Sequence, residues 1–507
     1  MRTLLSSVAF GAIAAATPAF AADLPVKAPR TPAPAAVAAS WTGFYVGANL
    51  GLSVARNPTE FLAFTFPGST DNDDEHFNLG PIGVVGGGQI AYNWQIAPSA
   101  VWGLEADFQG SGERDSTVCV TECTPNGALS TKFNQRLPWF GTLRGRIGWA
   151  NGPALFYATG GLAYGKVTTE FVTVASGSSA AGSFSQVKAG WTAGAGIEAQ
   201  IAGNWTGKIE YLYMDLGTVD GATAGTGQIA PFGFAFSSRV QDHIVRAGVN
   251  YKFGTPVYAA ASPAGIYKAP VRVPAVDWSG FYVGANVGLS VARNQTSAFE
   301  FFPGSPIDIN EQVNLSPVGA VGGGQIGYNL QTGTNLLLGV EADFQASGAQ
   351  DSTTCIFHCN PRSSAATSET LTQKLPWFGT VRGRVGWTDG PVLFYGTGGW
   401  AYGKITTDMN VSDKDVPAIP PTIASGSFSQ VKSGWTAGAG VEAQLFGNWT
   451  GKLEYLYMDL GTVTGAATGV GGDFAGQVSG FSSRIQDHVV RVGLNYKFGA
   501  TPLVAKY

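Results

Sequence analysis

An all-β chain, built as two tandem eight-stranded antiparallel transmembrane β-barrels, is the fold this sequence predicts, and three observations predict it. The first is a stretch with two faces. Leu137–Trp149 (LPWFGTLRGRIGW) returns almost letter for letter as Leu375–Trp387 (LPWFGTVRGRVGW). Taken two residues at a time, Leu137, Trp139, Leu143, Ile147 and Trp149 share one face, and Phe140, Thr142, Arg144 and Arg146 the other. Tryptophans at both ends of an apolar band, backed by arginines, fit a strand crossing lipid with its charges turned into a barrel lumen. The second is duplication over more than two hundred residues, too long a period for a solenoid. The third is composition: 71 glycines and only 13% charged residues in 507, roughly half the usual charged share. That excludes an ordinary helical or α/β enzyme, and a net charge of −4 without a basic patch argues against nucleic acid.

Residues 1–21 read as a secretory signal: Arg2, an apolar run Leu4–Ala16, and Ala19-Phe20-Ala21 as the cleavage site. No later run is long and apolar enough for a membrane helix, and an exported chain spans a membrane without helices only as a closed barrel. Residues 22–40 and 255–276 are proline- and alanine-rich and read as extended linkers. They precede a first barrel over residues 41–254 and a second over 277–499, with a tail at 500–507.

Within the first repeat eight strands are expected: Thr42–Leu52, Gly80–Trp94, Val101–Gly110, Leu137–Trp149, Pro153–Gly165, Gln186–Ile201, Trp205–Leu216 and Arg239–Phe253. Short turns near Gln95–Ala100, Ala150–Gly152 and Ala202–Asn204 alternate with long polar stretches at Ser53–Leu79, Ser111–Arg136, Lys166–Ser185 and Gly217–Ser238. Short inner turns and long external loops are the outer-membrane barrel pattern. Parity puts Leu50, Ile90, Trp102, Phe108, Trp191, Ile197, Ile209 and Val245 outside, and closing aromatics Tyr251 and Phe253 at the inner interface.

The inward set is Glu105, Asp107, Arg144, Arg146, Glu198, Lys208, Glu210 and Arg246, four acids and four bases. The second repeat carries Glu341, Asp343, Arg382, Arg384, Glu442, Lys452, Glu454 and Arg491. Buried charges are tolerable when paired, and eight strands leave room only for side chains to fill. The set therefore reads as a plug rather than a selectivity filter. Glu105 and Asp107 invite a general-acid/base reading, but arginines on the next strand favour salt bridging. His243 and His488 have outward parity near the external end of the last strand, beside Ser237 and Ser238, yet no nucleophile, base and orienting acid share a face. No catalytic residue and no metal site is expected. Cys119 with Cys123, and Cys355 with Cys359, read as a disulfide in each repeat, given an oxidising compartment.

The opening Ala-Asp-Leu-Pro-Val-Lys-Ala-Pro, the Trp-x-Gly-Phe-Tyr-Val-Gly-Ala-Asn motif, Arg-Gly-Arg-x-Gly-Trp and the closing Asn-Tyr-Lys-Phe resemble the alphaproteobacterial outer-membrane surface-antigen and porin family, including RopB-like and hemin-binding proteins. The resemblance spans each repeat and implies an outer-membrane barrel of the Gram-negative envelope with a role in envelope integrity and surface interaction. It carries no catalytic residues. It implies no cofactor beyond hemin, for which His76 and His358 occupy non-equivalent loops. Expected partners are outer-membrane lipid, lipopolysaccharide, the barrel-assembly machinery and periplasmic chaperones. The rival functions are a porin for small hydrophilic solutes, possibly as one sixteen-stranded barrel, and hemin capture. The departure from the family is the tandem copy; a linker of about twenty residues reaches on the order of 60 Å and does not force the repeats to merge.

Overall fold

The computed structural model describes residues 40–254 and 276–498, apart from 66–71, 119–128, 176, 231, 305–308, 334, 355–366, 414–421 and 471–474. The segment expected as a signal, most of the two stretches expected as linkers, the four cysteines and His358 lie outside the described residues. The first repeat contains β1 (Gly43–Ala55), β2 (Asn57–Thr65), β3 (Asn72–Leu79), β4 (Ile82–Ala97), β5 (Ala100–Val118), β6 (Leu129–Asn151), β7 (Ala154–Ala175), β8 (Ser178–Ala202), β9 (Trp205–Ala224) and β10 (Phe232–Lys252). The second contains β11 (Gly280–Ala292), β12 (Asn294–Phe301), β13 (Ile309–Leu315), β14 (Val318–Thr332), β15 (Leu336–Thr354), β16 (Thr367–Asp389), β17 (Val392–Asp413), β18 (Thr422–Phe446), β19 (Trp449–Thr468) and β20 (Val478–Lys497).

Ten strands per repeat make eight staves, because β2 continues β1 and β3 leads into β4. Ala55 pairs with Asp242 and Thr59 with Ser238, one unbroken register across the interruption at Arg56. Val54 pairs with Ile82 and Asn57 with Leu79, one register across Gly80 and Pro81. A proline has no N–H to give the ladder, so a break there is natural. Every pairing is antiparallel, and β1 pairs with both β4 and β10 of its own repeat, closing the ring. In the second repeat β11 pairs with β14 and β20. Each repeat therefore closes on itself; a single sixteen-stranded ring would require β1 to find the other repeat's last strand. Among the described residues, one backbone ladder contact links the repeats, the Asn78–Asn314 bridge, which joins β3 to β13.

The inner ends of the strands fall within a few residues of the expected positions, but the outer ends do not. The stretch Lys166–Ser185, expected as a loop, is a hairpin in which β7 and β8 pair out to Ala175–Ser178. Gly177, at φ 81°, takes the turn that an L side chain would strain. Ser53–Leu79 is likewise mostly strand, and His76 lies in β3 rather than a loop. With 23 residues in β6 and 25 in β8, a stave is about 80 Å long at ~3.4 Å per residue. Tilted by roughly 40°, it stands about 60 Å tall against an apolar band of about 25 Å. Much of each barrel therefore projects beyond the hydrocarbon.

Parity places side chains as expected through the lower staves: Leu50 and Ile147 are each 65% exposed on the outer wall. Leu137 is a correction. It is 2% exposed and faces inward, because the register shifts between Arg136 and Trp139. The bulge around Pro138 adds a residue and reverses the faces on its outer side.

Candidate functional site in the barrel lumens

The inward positions on β5, β6, β8, β9 and β10 bring all eight expected charges of the first repeat together, and none of the sixteen across both repeats is more than 5% exposed. Arg144 is the hub. Its Nη2 lies 2.5 Å from Glu105 and 2.9 Å from Asp107, and its Nη1 lies 3.1 Å from Glu210. Arg246 closes the group from β10, 2.8 Å from Asp107 and 2.7 Å from Glu210. Lys208 donates to Glu105 at 2.8 Å. One layer inward, Arg146 pairs with Glu198 at 2.9 Å and donates from Nε to Asn93 at 2.7 Å. Its guanidinium sits between the rings of Tyr45 and Tyr157. Register explains the convergence: Glu105 is paired across from Arg144, Glu198 from Lys208, and Glu210 from Arg246.

The second lumen repeats this arrangement. Arg382 reaches Glu341 at 2.5 Å, Asp343 at 2.9 Å and Glu454 at 3.0 Å. Arg491 binds Asp343 at 2.8 Å and Glu454 at 2.7 Å, Lys452 binds Glu341 at 2.9 Å, and Arg384 binds Glu442 at 3.2 Å. One tyrosine differs. Tyr45 donates to the Trp41 carbonyl at 2.7 Å, whereas its counterpart Tyr282 donates to Glu341 at 2.7 Å.

Neutral side chains complete the layer. Asn49 donates to Gln89 at 2.7 Å, Gln89 to Asn250 at 2.6 Å, and Asn250 to Glu198 at 2.8 Å. With four acids set against four bases at pairing distance, the array meets the first condition that makes buried charge tolerable, that each ion has a counter-ion. Glu105 and Asp107 are thus held as ion-pair acceptors rather than left free to shuttle protons.

Two apolar clusters flank the ions, and sequence reasoning missed both. At the inner end Trp41, 1% exposed, packs with Val101, Ala150, Leu155 and Tyr157. Its backbone N–H donates to Gln95 at 2.8 Å, and Trp278 donates to Gln331 at 2.9 Å in the second repeat. The signal was a tryptophan just before the first strand in both copies. At the outer end the first lumen holds packed phenylalanines, with Phe61, Phe133 and Phe171 in mutual ring contact at 5.2–5.6 Å between centroids. These positions lie on strand extensions expected to be polar loops, so their parity was not followed.

The serine–histidine pairing imagined near the outer end is not assembled. Ser238 shares a hydrogen bond with Thr59 at 2.8 Å and accepts one from Gln135 at 3.1 Å, while His243 Nδ1 meets the Tyr211 hydroxyl at 2.8 Å. Outward parity for His243 and His488 is correct, but His488 is buried all the same. Ile197, also outward, is only 4% exposed. It belongs to a cluster with Val441 and Leu453 of the second repeat, which covers it. Among the described residues, no group of three or more histidines, cysteines, aspartates or glutamates is placed to hold a metal ion.

Rings of antiparallel strands with hydrophobic side chains outside and paired ions within define an outer-membrane β-barrel protein. The family described as outer membrane protein beta-barrel domain matches residues 11–253 and again 257–498, and the chain belongs to that family. It is 41% identical to a 31 kDa outer-membrane immunogenic protein of Brucella melitensis over 258 residues, which is 49% of this chain and 100% of that one. It is 30% identical to a 22 kDa outer membrane protein of Rhizobium leguminosarum over 237 residues, 46% of this chain and 82% of that one. A 25 kDa outer-membrane immunogenic protein of Brucella abortus is 29% identical over 258 residues, half of this chain and all of that one. Each relative aligns with about one repeat's length, and the chain is located in the Gram-negative outer membrane.

Proposed function

We propose that the chain is a non-catalytic structural protein of the outer membrane, with each lumen plugged by its own ions and with the outer ends serving surface interaction. The observation that carries this reading is the inaccessibility of sixteen charged side chains. A water-filled pore running past them would leave them wetted, whereas eight staves give a width that side chains alone fill. The apolar layers above and below the ions support the same reading, since each removes a segment of any aqueous path. The outward band meets lipid, and the projecting strands and loops meet lipopolysaccharide and whatever approaches the cell. Assembly machinery and periplasmic chaperones handle the chain before it folds. The relatives described as immunogenic fit a protein displayed at the surface. Planar-bilayer recording of the purified chain tests the proposal: no stable openings are expected, and large, long-lived conductance steps would overturn it.

A further inference from the structure

We propose that the two repeats form an isologous pair within the membrane that holds together without its linker, each barrel offering one self-complementary face to a partner of its own kind. The first observation is reciprocal exchange at the outer end. Arg56, at the break between β1 and β2, reaches Asp351 on β15 at 2.7 Å, and Arg293, at the equivalent break, reaches Asp115 on β5 at 2.8 Å. Both aspartate side chains are 2% exposed. Asn78 donates to the second oxygen of Asp351 at 2.8 Å, and Asn314 to the second oxygen of Asp115 at 3.0 Å. Even the backbone contacts are exchanged: Arg56 Nε donates to the Ser316 carbonyl and Arg293 Nε to the Gly80 carbonyl. When residue i of one unit meets j of the other, and j meets i, the contact is that of a two-fold dimer. Here one chain supplies both units.

The second observation lies on the walls within the bilayer. A methyl group built on Gly207 would stand 3.5 Å from the ring of Phe394, and one built on Gly451 would stand 3.5 Å from the ring of Phe156. The same swap of partners thus recurs on the apolar wall. The third is chemical. His243 and His488 occupy wall positions that would face lipid in a lone barrel, and a small gap there is lined by matching residues from both repeats. Tyr211 and Tyr455 each bond an imidazole Nδ1 at 2.8 Å. A polar ring on a lipid-facing wall is costly, and the opposite barrel covers it. The exchange is not perfect, since Asn151 donates to the Gln444 and Leu445 carbonyls and the second repeat has Asp389 at that place. Each repeat nonetheless carries both halves of the ionic, apolar and histidine contacts. The linker then raises the effective concentration of the partner during assembly, and the faces do the holding.

The test uses the full chain with a protease site placed within residues 255–276, cut after folding in detergent. The two halves are expected to co-elute on size exclusion. Halves that separate on cutting, while each keeps its folded, heat-shiftable band, would overturn the proposal. A wedge variant, Gly207→Trp with Gly451→Trp, enlarges outward positions and leaves the lumens alone. It should free the halves after cutting without loss of the heat shift, and unchanged co-elution would overturn the assignment of this face. Should the wedge variant fail to fold, Arg56→Ala with Arg293→Ala is read by dilution of the cut protein. At least about tenfold weaker association is expected from stranding two buried carboxylates, and equal association would count against the proposal.

Discussion

Replacing Arg144 with methionine keeps an unbranched stem and removes the guanidinium hub of the first lumen. Three carboxylates lose a partner at 2.5, 2.9 and 3.1 Å. The nearest remaining base is Lys208 for Glu105, at 2.8 Å with Arg146 and Arg246 farther off at 3.5 and 3.6 Å, and Arg246 for both Asp107 and Glu210. The eight-residue ion layer would then hold four carboxylates against three bases. Removing one member of a buried ion array costs about 3–5 kcal/mol, or roughly two to four powers of ten in the folding equilibrium. Urea unfolding in lipid vesicles, followed by tryptophan fluorescence, should show the first barrel melting ahead of the intact second one. Adding Asp107→Asn restores the charge balance and should recover at least about half of the loss, since neutralising the stranded partner relieves an unpaired charge. Arg136→Met is the control: its pair with Glu170 is 57% and 37% exposed, and such pairs are worth about 1 kcal/mol or less. If Arg144→Met behaves like this control, or if Asp107→Asn makes matters worse, the paired-plug reasoning is refuted.

Other outcomes follow from the same geometry. Leu143→Arg puts a charge on the lipid wall and should destabilise the protein by about 2–4 kcal/mol near the midplane, measured by the same unfolding assay; a neutral result would mean that this wall faces water. Trp41→Ala empties the inner plug and should cost about 3–5 kcal/mol, with faster labelling of lumen groups from the inner side as a second readout. Mass mapping without reduction should find Cys119 linked to Cys123 and Cys355 to Cys359; free thiols, or links between repeats, would contradict that pairing.

The lower half of each barrel was legible in the sequence because lipid and lumen impose opposite chemistry on alternate residues. Trp102, Leu104 and Phe108 alternate with Glu105 and Asp107, and no other arrangement satisfies both. Above the bilayer that contrast fades. Both faces of Lys166–Ser185 are mixed, since one meets water and the other packs against phenylalanines, so strand and loop look alike. Leu137 was misplaced because a bulge leaves little trace in the sequence beyond its proline. His243 and Ile197 could be assigned a face but not a neighbour, because what covers them comes from the other repeat. Trp41 precedes the first strand and lies outside any periodicity, so its place under the lumen could not be read from spacing.

Arginine side-chain exchange tests the central claim most directly. With arginine nitrogen labelled and the folded protein moved into deuterated buffer, the Nε–H signals of Arg144, Arg146, Arg246, Arg382, Arg384 and Arg491 should persist long after those of the exposed Arg136, Arg239 and Arg484 have gone. Loss of all of them together, in a protein that still shows its folded heat shift, would mean that water reaches the ions and that the lumens are open.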